Sequence, residues 1–425
     1  MGQLDRGGGH PAVNQGGDCC EYSQGEKSVF MPSKKVLFEK YRRMSEIAEV
    51  VPKIIEAIFS SVQEPFKTVR PSLQHNHKTS GKFEKFLVRV LSNSSDSKLG
   101  STRGQGGLPD FCEGIIPRIS AINAACDPDN ADENMEILRT LTAQEVTFYS
   151  DFSGIQFSGF PIPRSYYGEN LGNEKMAGLA CEDYSGKVYS IDFVPGFDES
   201  QVLQLLEALA HFHAKIIEIS DEIPWKNYEN VLYDAAYIRM LHNDTLDFEK
   251  LCPAELSGRI QEVKHAFDED GVRNSEKKNE KLGMPLVICH NDLNASNVLW
   301  NNETGKIQAF IDFQHVSKGP VSFDIIRILC LGLSVENRRA NTQRYLNHYY
   351  TTFKSHFSTA PFTFSQLEES YRTHFNFVNA TSLFSLSYYY KMYKDESLDL
   401  KSGADEREHK AQEILRRTIG ILDDM

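Results

Sequence analysis

Four polar residues stand at the ends of two short apolar runs within positions 285–314. His290, Asp292 and Asn297 follow PLVIC, and Asp312 closes IQAFID. Their types suit phosphoryl transfer. The group in flight is spread-out negative charge, so a protein needs a divalent metal, hard oxygen ligands to hold it and a carboxylate to orient the attacking hydroxyl. In that scheme Asp292 is the base, Asn297 and Asp312 are the metal ligands, and His290 braces the loop. A carboxylate of ordinary pKa, about 3.9, is a weak base for an alcohol. It serves nonetheless where the proton leaves late and positioning dominates. The bland reading is a hairpin with surface Asn and Asp turns, because a bare HxDxxxxN arises by chance in many proteins.

The elements that must hold these residues are legible as PLVICH and IQAFIDFQ. Both have strand composition, and the turn-like NNETGK before the second predicts a hairpin of the two runs. Catalytic side chains commonly sit on loops at the ends of such rigid elements. With a strand before it and IDFQ about fifteen residues after Asn297, the HNDLNASNVLW segment resembles the aminoglycoside phosphotransferase and choline kinase superfamily. The resemblance is nearest to its CHK kinase-like, ecdysteroid kinase-like branch and covers the chain from about Lys34 onwards.

That resemblance implies an α+β, bilobal protein-kinase-like fold. A small lobe of antiparallel strands plus one helix precedes a larger, mainly helical lobe with the catalytic hairpin and an acceptor pocket. It implies ATP and magnesium as cofactors and a small-molecule hydroxyl compound as acceptor. Gly81, in SGKFEKFLVRV, falls where the family has its phosphate-covering turn. Arg118, in IIPRIS, falls where the family has a phosphate-contacting lysine. Glu145, before the aromatic pair of EVTFY, matches the helix glutamate that would pair with it, and Glu182 and Asp183 match the acidic pair at the hinge, where adenine would be met. Asp324 is expected to anchor the catalytic loop by accepting hydrogen bonds.

Composition bounds the rest. The chain has 425 residues, 40% hydrophobic and 25% charged, ordinary globular material with room for two lobes. Its 59 acidic against 46 basic residues give a net charge of −13, which argues against nucleic acid and anionic membrane as partners. Eight scattered cysteines without CxxC spacing suit reduced thiols and a cytoplasmic location. Met1 to Gly25 lacks the apolar core of a signal peptide, and Arg6 stands where a myristoylation motif wants Ser or Thr. No apolar run approaches the length of a membrane span. The run from Ile326 to Val335, interrupted by Arg327, reads as a core helix.

Taken in order, residues 1–30 are expected to be disordered. Residues 31–183 are expected to form N-terminal helices and the nucleotide-binding lobe, and residues 184–425 the larger lobe. Asp198 or Ser200 would cap a helix burying Val202, Leu205, Leu206, Leu209, Phe212 and Ile216. His211 and His213, two apart on that helix, point to different faces and read as core or surface residues rather than a metal pair. GSTRGQGG reads as a flexible loop, QHNHK as a loop, and DEDGVRNSEKKNEK as a solvated loop. The function these features predict is an ATP-dependent small-molecule kinase. The alternative is a catalytically weak or inactive kinase-fold binding protein, motivated by Pro117, by Arg118 in place of lysine, and by the lack of a GxGxxG turn near Gly81.

Overall fold

The computed structural model describes residues 66–73, 84–92, 115–119, 131–169, 178–184, 186–229, 235–395 and 402–425; for the first three strands and residues 131–139 it describes the backbone. The chain divides into two compact units, Met1–Ile47 and Ala48–Met425, and all described residues belong to the second. Gly81, the helices expected before residue 60, the histidines of QHNHK and the glycines of GSTRGQGG lie outside the described residues.

The first half of the second unit is built on an antiparallel sheet ordered β1-β2-β3-β5-β4, with β1 Phe66–Leu73, β2 Glu84–Ser92, β3 Ile115–Ile119, β4 Ser165–Glu169 and β5 Gly178–Glu182. Pro117 lies in the central strand β3, where a missing N–H is costly. Pairing with β5 runs through it, Pro117 opposite Ala180, while β2 pairs at Ile115, Arg118 and Ile119. Between β3 and β4 runs one long helix, α1 (Ala131–Phe152). Among the described residues the architecture is the expected α+β one: a small antiparallel sheet with one helix, then a larger, mainly helical part that carries the candidate catalytic loop.

The helical part begins after β6 (Val188–Ser190) with α2 (Glu199–Glu218). Asp198 accepts from the Gln201 N–H, and the Gln201 side chain accepts from the Asp198 N–H, closing a capping box. The six apolar residues expected on one face are all buried. His213 is buried against the Tyr349 hydroxyl at 2.8 Å, and His211 meets His356 at 2.7 Å near the surface, so the two histidines do serve different faces. Helices α3 (Ala235–Leu251) and α4 (Gly271–Lys281) follow.

The last of these corrects an expectation: the charged stretch read as a solvated loop is helical. It buries Val272, Ser275 and Asn279, spaced by three and four, and Asn279 donates to the Met284 carbonyl at 2.8 Å. A buried face made of Val, Ser and Asn leaves little apolar periodicity to read.

Strand pairing brings a second correction. PLVICH supplies β7 (Leu286–Cys289) and IQAFIDFQ supplies β9 (Ile307–Phe310), but they do not pair with each other. The hairpin across NNETGK joins β8 (Val298–Asn301) to β9, and β6 flanks β8. Strand β7 pairs instead with β10 (Ser317–Pro320), so the polar loop after β7 lies between two small sheets.

Four further helices complete the unit: α5 (Ser322–Gly332), α6 (Val335–Lys354), α7 (Phe364–Lys394) and α8 (Ala404–Asp424). Every residue of α5 is buried, Asp324 and Arg327 included, as expected for a core helix. Among the described residues, no helix is long and apolar enough to cross a membrane.

Candidate active site

Two residues with left-handed backbone set the turns of the site, Asn291 (φ 60) and Asp312 (φ 72). Asn and Asp tolerate that conformation better than other residues with a Cβ. The loop between β7 and β8 is held from outside by Asp324 of α5, which is 0% exposed. One of its carboxylate oxygens accepts from the His290 N–H and the other from the Asn291 N–H, both at 2.8 Å. This is the anchoring role expected of Asp324. Burial pushes its carboxyl above the usual range, against the two N–H bonds.

Inside the loop, His290 acts as the brace. Its Nδ1 accepts from the Asp292 N–H at 3.3 Å, which makes Nε2 the donor to the Ile311 carbonyl at 3.0 Å. The Ile311 N–H donates to the Asn297 carbonyl at 3.0 Å. The residue before Asp312 is thus tied to both His290 and Asn297, which is how positions 290, 292, 297 and 312 come together.

Asp292 is 20% exposed, and each of its carboxylate oxygens has a donor. Arg327 Nη2 donates to Oδ1 at 2.8 Å and Asn297 Nδ2 to Oδ2 at 2.9 Å. Burial pushes the Asp292 carboxyl up, but the Arg327 guanidinium foremost outweighs it and holds the group below the usual carboxylate range. Asn297 Nδ2 also donates to the Asp292 carbonyl at 2.8 Å. Two acceptors around Nδ2 fix the amide orientation and leave the side-chain oxygen Oδ1 of Asn297 as the atom for a hard cation.

Among the described residues, no group of three or more His, Cys, Asp or Glu could hold a metal by itself. An amide oxygen from Asn297 plus the Asp312 carboxylate fits magnesium, which takes one or two protein ligands and completes its shell with waters and substrate phosphates.

Glu145 lies on α1, buried, one turn before Phe148 and Tyr149. Both rings pack on Phe313, the residue after Asp312: Phe148 stacks on it with centroids 4.0 Å apart and Tyr149 meets it edge-on at 5.7 Å. The helix of Glu145 is therefore docked on the Asp312 turn. Arg118 lies at the middle of the sheet, opposite Leu179 of β5. Glu182 ends β5, exposed, and accepts from the Tyr184 hydroxyl at 2.9 Å; Asp183 follows it where the chain leaves the sheet.

Sequence reasoning missed four contributors: Arg327, Asn291, Phe313 and His315. Asn291 Nδ2 donates to the His315 carbonyl at 2.9 Å and to Ser317 Oγ at 2.7 Å, stitching the loop to β10. A sequence signal existed for Arg327, a lone cation three residues after Asp324 in an apolar helix, but it read as an interruption. Aromatic rings wall the far side: Tyr389 of α7 stacks on Phe193 at 3.8 Å and its hydroxyl meets Ser296 Oγ at 3.2 Å. Tyr237 of α3 and Tyr389 both feel the Asp292 charge, and burial raises both phenols.

Comparison with known proteins adds a context. An uncharacterized kinase-like protein of Caenorhabditis elegans is 89% identical over 386 residues, covering 90% of this chain and all of that protein. A probable ethanolamine kinase of Nematostella vectensis is 27% identical over 124 residues, 29% of this chain and 32% of its own length. A solved ethanolamine kinase of Plasmodium vivax is 12% identical across 92% of this chain and 91% of its own, with a TM-score of 0.39, too distant a likeness to carry weight. The family model described as uncharacterized oxidoreductase dhs-27 matches residues 120–425, and with that match the chain belongs to this family, DUF1679.

Proposed function

We propose that this protein is an ATP-dependent small-molecule kinase of the CHK kinase-like, ecdysteroid kinase-like branch, transferring the γ-phosphoryl group to a hydroxyl of a small acceptor. The observation that carries the reading is the doubly held Asp292 carboxylate, with Asn297 bonded to both its side chain and its carbonyl, and with the Ile311 N–H, next to Asp312, donating to the Asn297 backbone carbonyl. Asp292 orients the acceptor hydroxyl and takes its proton late. His290 braces the loop, and Asn297 and Asp312 would hold magnesium, which when bound neutralises phosphate charge. Arg118 with Glu145, and Gly81, would serve the ATP phosphates; Glu182 and Asp183 would flank the adenine. On this reading the nucleotide would be held by residues within 31–183 and the acceptor by residues within 184–425.

The family description names an oxidoreductase, but the Asp292 carboxylate beside Arg327 and Asn297, with the Asn297 side-chain oxygen and the Asp312 carboxylate as ligands for a hard cation, is a set suited to phosphoryl transfer. The test measures MgATP binding by calorimetry and phosphoryl transfer to a panel of ethanolamine, choline, an aminoglycoside, a sugar and a steroid alcohol. Expected are transfer to at least one of these and a loss of about 100-fold or more in Asp292→Ala, with MgATP affinity nearly unchanged. Equal turnover in both proteins would remove Asp292 from the mechanism; no transfer by the wild type would overturn the kinase reading. In that event the second reading, a binding protein without turnover, gains from Pro117 in the central strand. A large gain in ATP affinity on Arg118→Lys would mark a decayed site.

A further inference from the structure

A buried arginine on an apolar helix is costly unless its charge is matched. Arg327 is 7% exposed, on a helix buried on every side. Its guanidinium is fixed from two directions. Nη1 donates to Thr381 Oγ1 at 2.9 Å and Nη2 to Ser385 Oγ at 2.8 Å, both on α7, while Nη2 also reaches Asp292 Oδ1 at 2.8 Å.

Resting on the kinase reading above, we infer that Arg327 is a positioning residue for phosphoryl transfer, holding one oxygen of the Asp292 carboxylate while Asn297 holds the other. The physical argument concerns rotation about the Cβ–Cγ bond of Asp292. With a donor on one oxygen alone, the carboxylate could swing about that contact. With Arg327 on Oδ1 and Asn297 on Oδ2, the carboxylate plane is set, and so are the directions of the lone pairs left for an acceptor hydroxyl. In a loose transition state little else is asked of the base, and a misplacement of about 1 Å can cost on the order of 100-fold. Lysine could supply the charge but not the planar fork that meets Asp292 and α7 together. The competing account makes Arg327 a strut between α5 and α7, with Asp292 merely its counter-ion.

The experiment compares wild type, Arg327→Lys, Arg327→Met and Arg327→Ala in kcat, KM for MgATP, melting temperature and crystal structure, using the panel compound that the wild type phosphorylates fastest. The positioning role predicts kcat down about 10- to 100-fold in Arg327→Met with KM for MgATP within about threefold, and a smaller loss in Arg327→Lys. It also predicts partial recovery of kcat in Arg327→Ala on adding guanidinium, with no such recovery in Asp292→Ala, and a displaced Asp292 side chain in the crystal. If Arg327→Met fails to fold, Arg327→Lys and its crystal structure carry the test. Unchanged kcat in a folded variant, or a loss that follows melting temperature alone with Asp292 in place, overturns this inference and leaves the kinase reading standing. A wild type that transfers phosphate to nothing on the panel overturns both.

Discussion

Replacing Asp324 with alanine removes the acceptor of two backbone N–H groups, His290 and Asn291, in a site closed to water. Each buried donor left without a partner costs about 1–3 kcal/mol, so the pair costs about 2–6 kcal/mol. Part of this is returned. Burial raises the Asp324 pKa above its ordinary value, which means that the ionised carboxylate is held at some expense that alanine does not bear. The expected loss is therefore in the lower part of the range, about 2–4 kcal/mol. At about 1 °C per kcal/mol for a chain of 425 residues, melting should fall by about 2–4 °C. Asp324→Asn keeps one acceptor oxygen and turns an amide NH2 toward the second donor, so it should lose about half as much. Scanning calorimetry reads the global term. Hydrogen exchange at His290 and Asn291 reads the local one, and both amides should lose protection in Asp324→Ala. An alanine variant with wild-type melting and wild-type protection at these two amides would refute the reasoning, because the loop would then be held by something other than this carboxylate.

Three further perturbations test other parts of the frame. In Gly332→Ala the new Cβ would meet the Phe197 ring at 2.3 Å, so overpacking should cost about 1–3 kcal/mol by thermal melting; an unchanged melting temperature would contradict it. Asn291→Ala pays for both the left-handed backbone and the lost bonds to His315 and Ser317, whereas Asn291→Gly pays for the bonds alone. The alanine variant should be the less stable by about 1–2 kcal/mol, and the reverse order would count against strain at this position. For Asp424, burial raises the carboxyl pKa, but bonds from Arg339 and Arg338 more than offset this and hold it below 3.8. A carboxyl depressed in the folded state adds stability above its unfolded pKa and loses it as pH falls through the folded one. The stability gap between wild type and Asp424→Asn should be full near about pH 6 and close below about pH 4; a gap that widens on acidification would show the sign to be wrong.

The residues proposed for chemistry were legible because His290, Asp292, Asn297 and Asp312 lie close together in the chain, with apolar runs beside them. Strand partners were not. Short apolar runs announce that PLVIC and IQAF are strands, but which neighbour each takes is decided by packing, and β7 went to β10 instead of β9. Helix α4 was hidden for a related reason: its buried face is small and polar, and contacts such as Asn279 to the Met284 carbonyl hold it.

Helix α5 shows where reading along the chain stops and tertiary structure begins. Its apolar run marks a core helix, and against that background Asp324 is recognisable as an anchor while Arg327 looks like a flaw. Three residues apart, the two share a helix face. Asp324 grips the backbone at the head of the loop and Arg327 grips the Asp292 carboxylate, so one buried helix sets both where the loop begins and how its carboxylate is turned. Neither grip suffices alone. A loop anchored by Asp324 would still let Asp292 rotate, and a carboxylate held by Arg327 on an unanchored loop would drag the pair out of register with Asn297. The order of the proposed site therefore depends on the burial of α5 as a unit, and mutations that shift this helix without touching the loop, Gly332→Ala among them, should lower turnover along with stability.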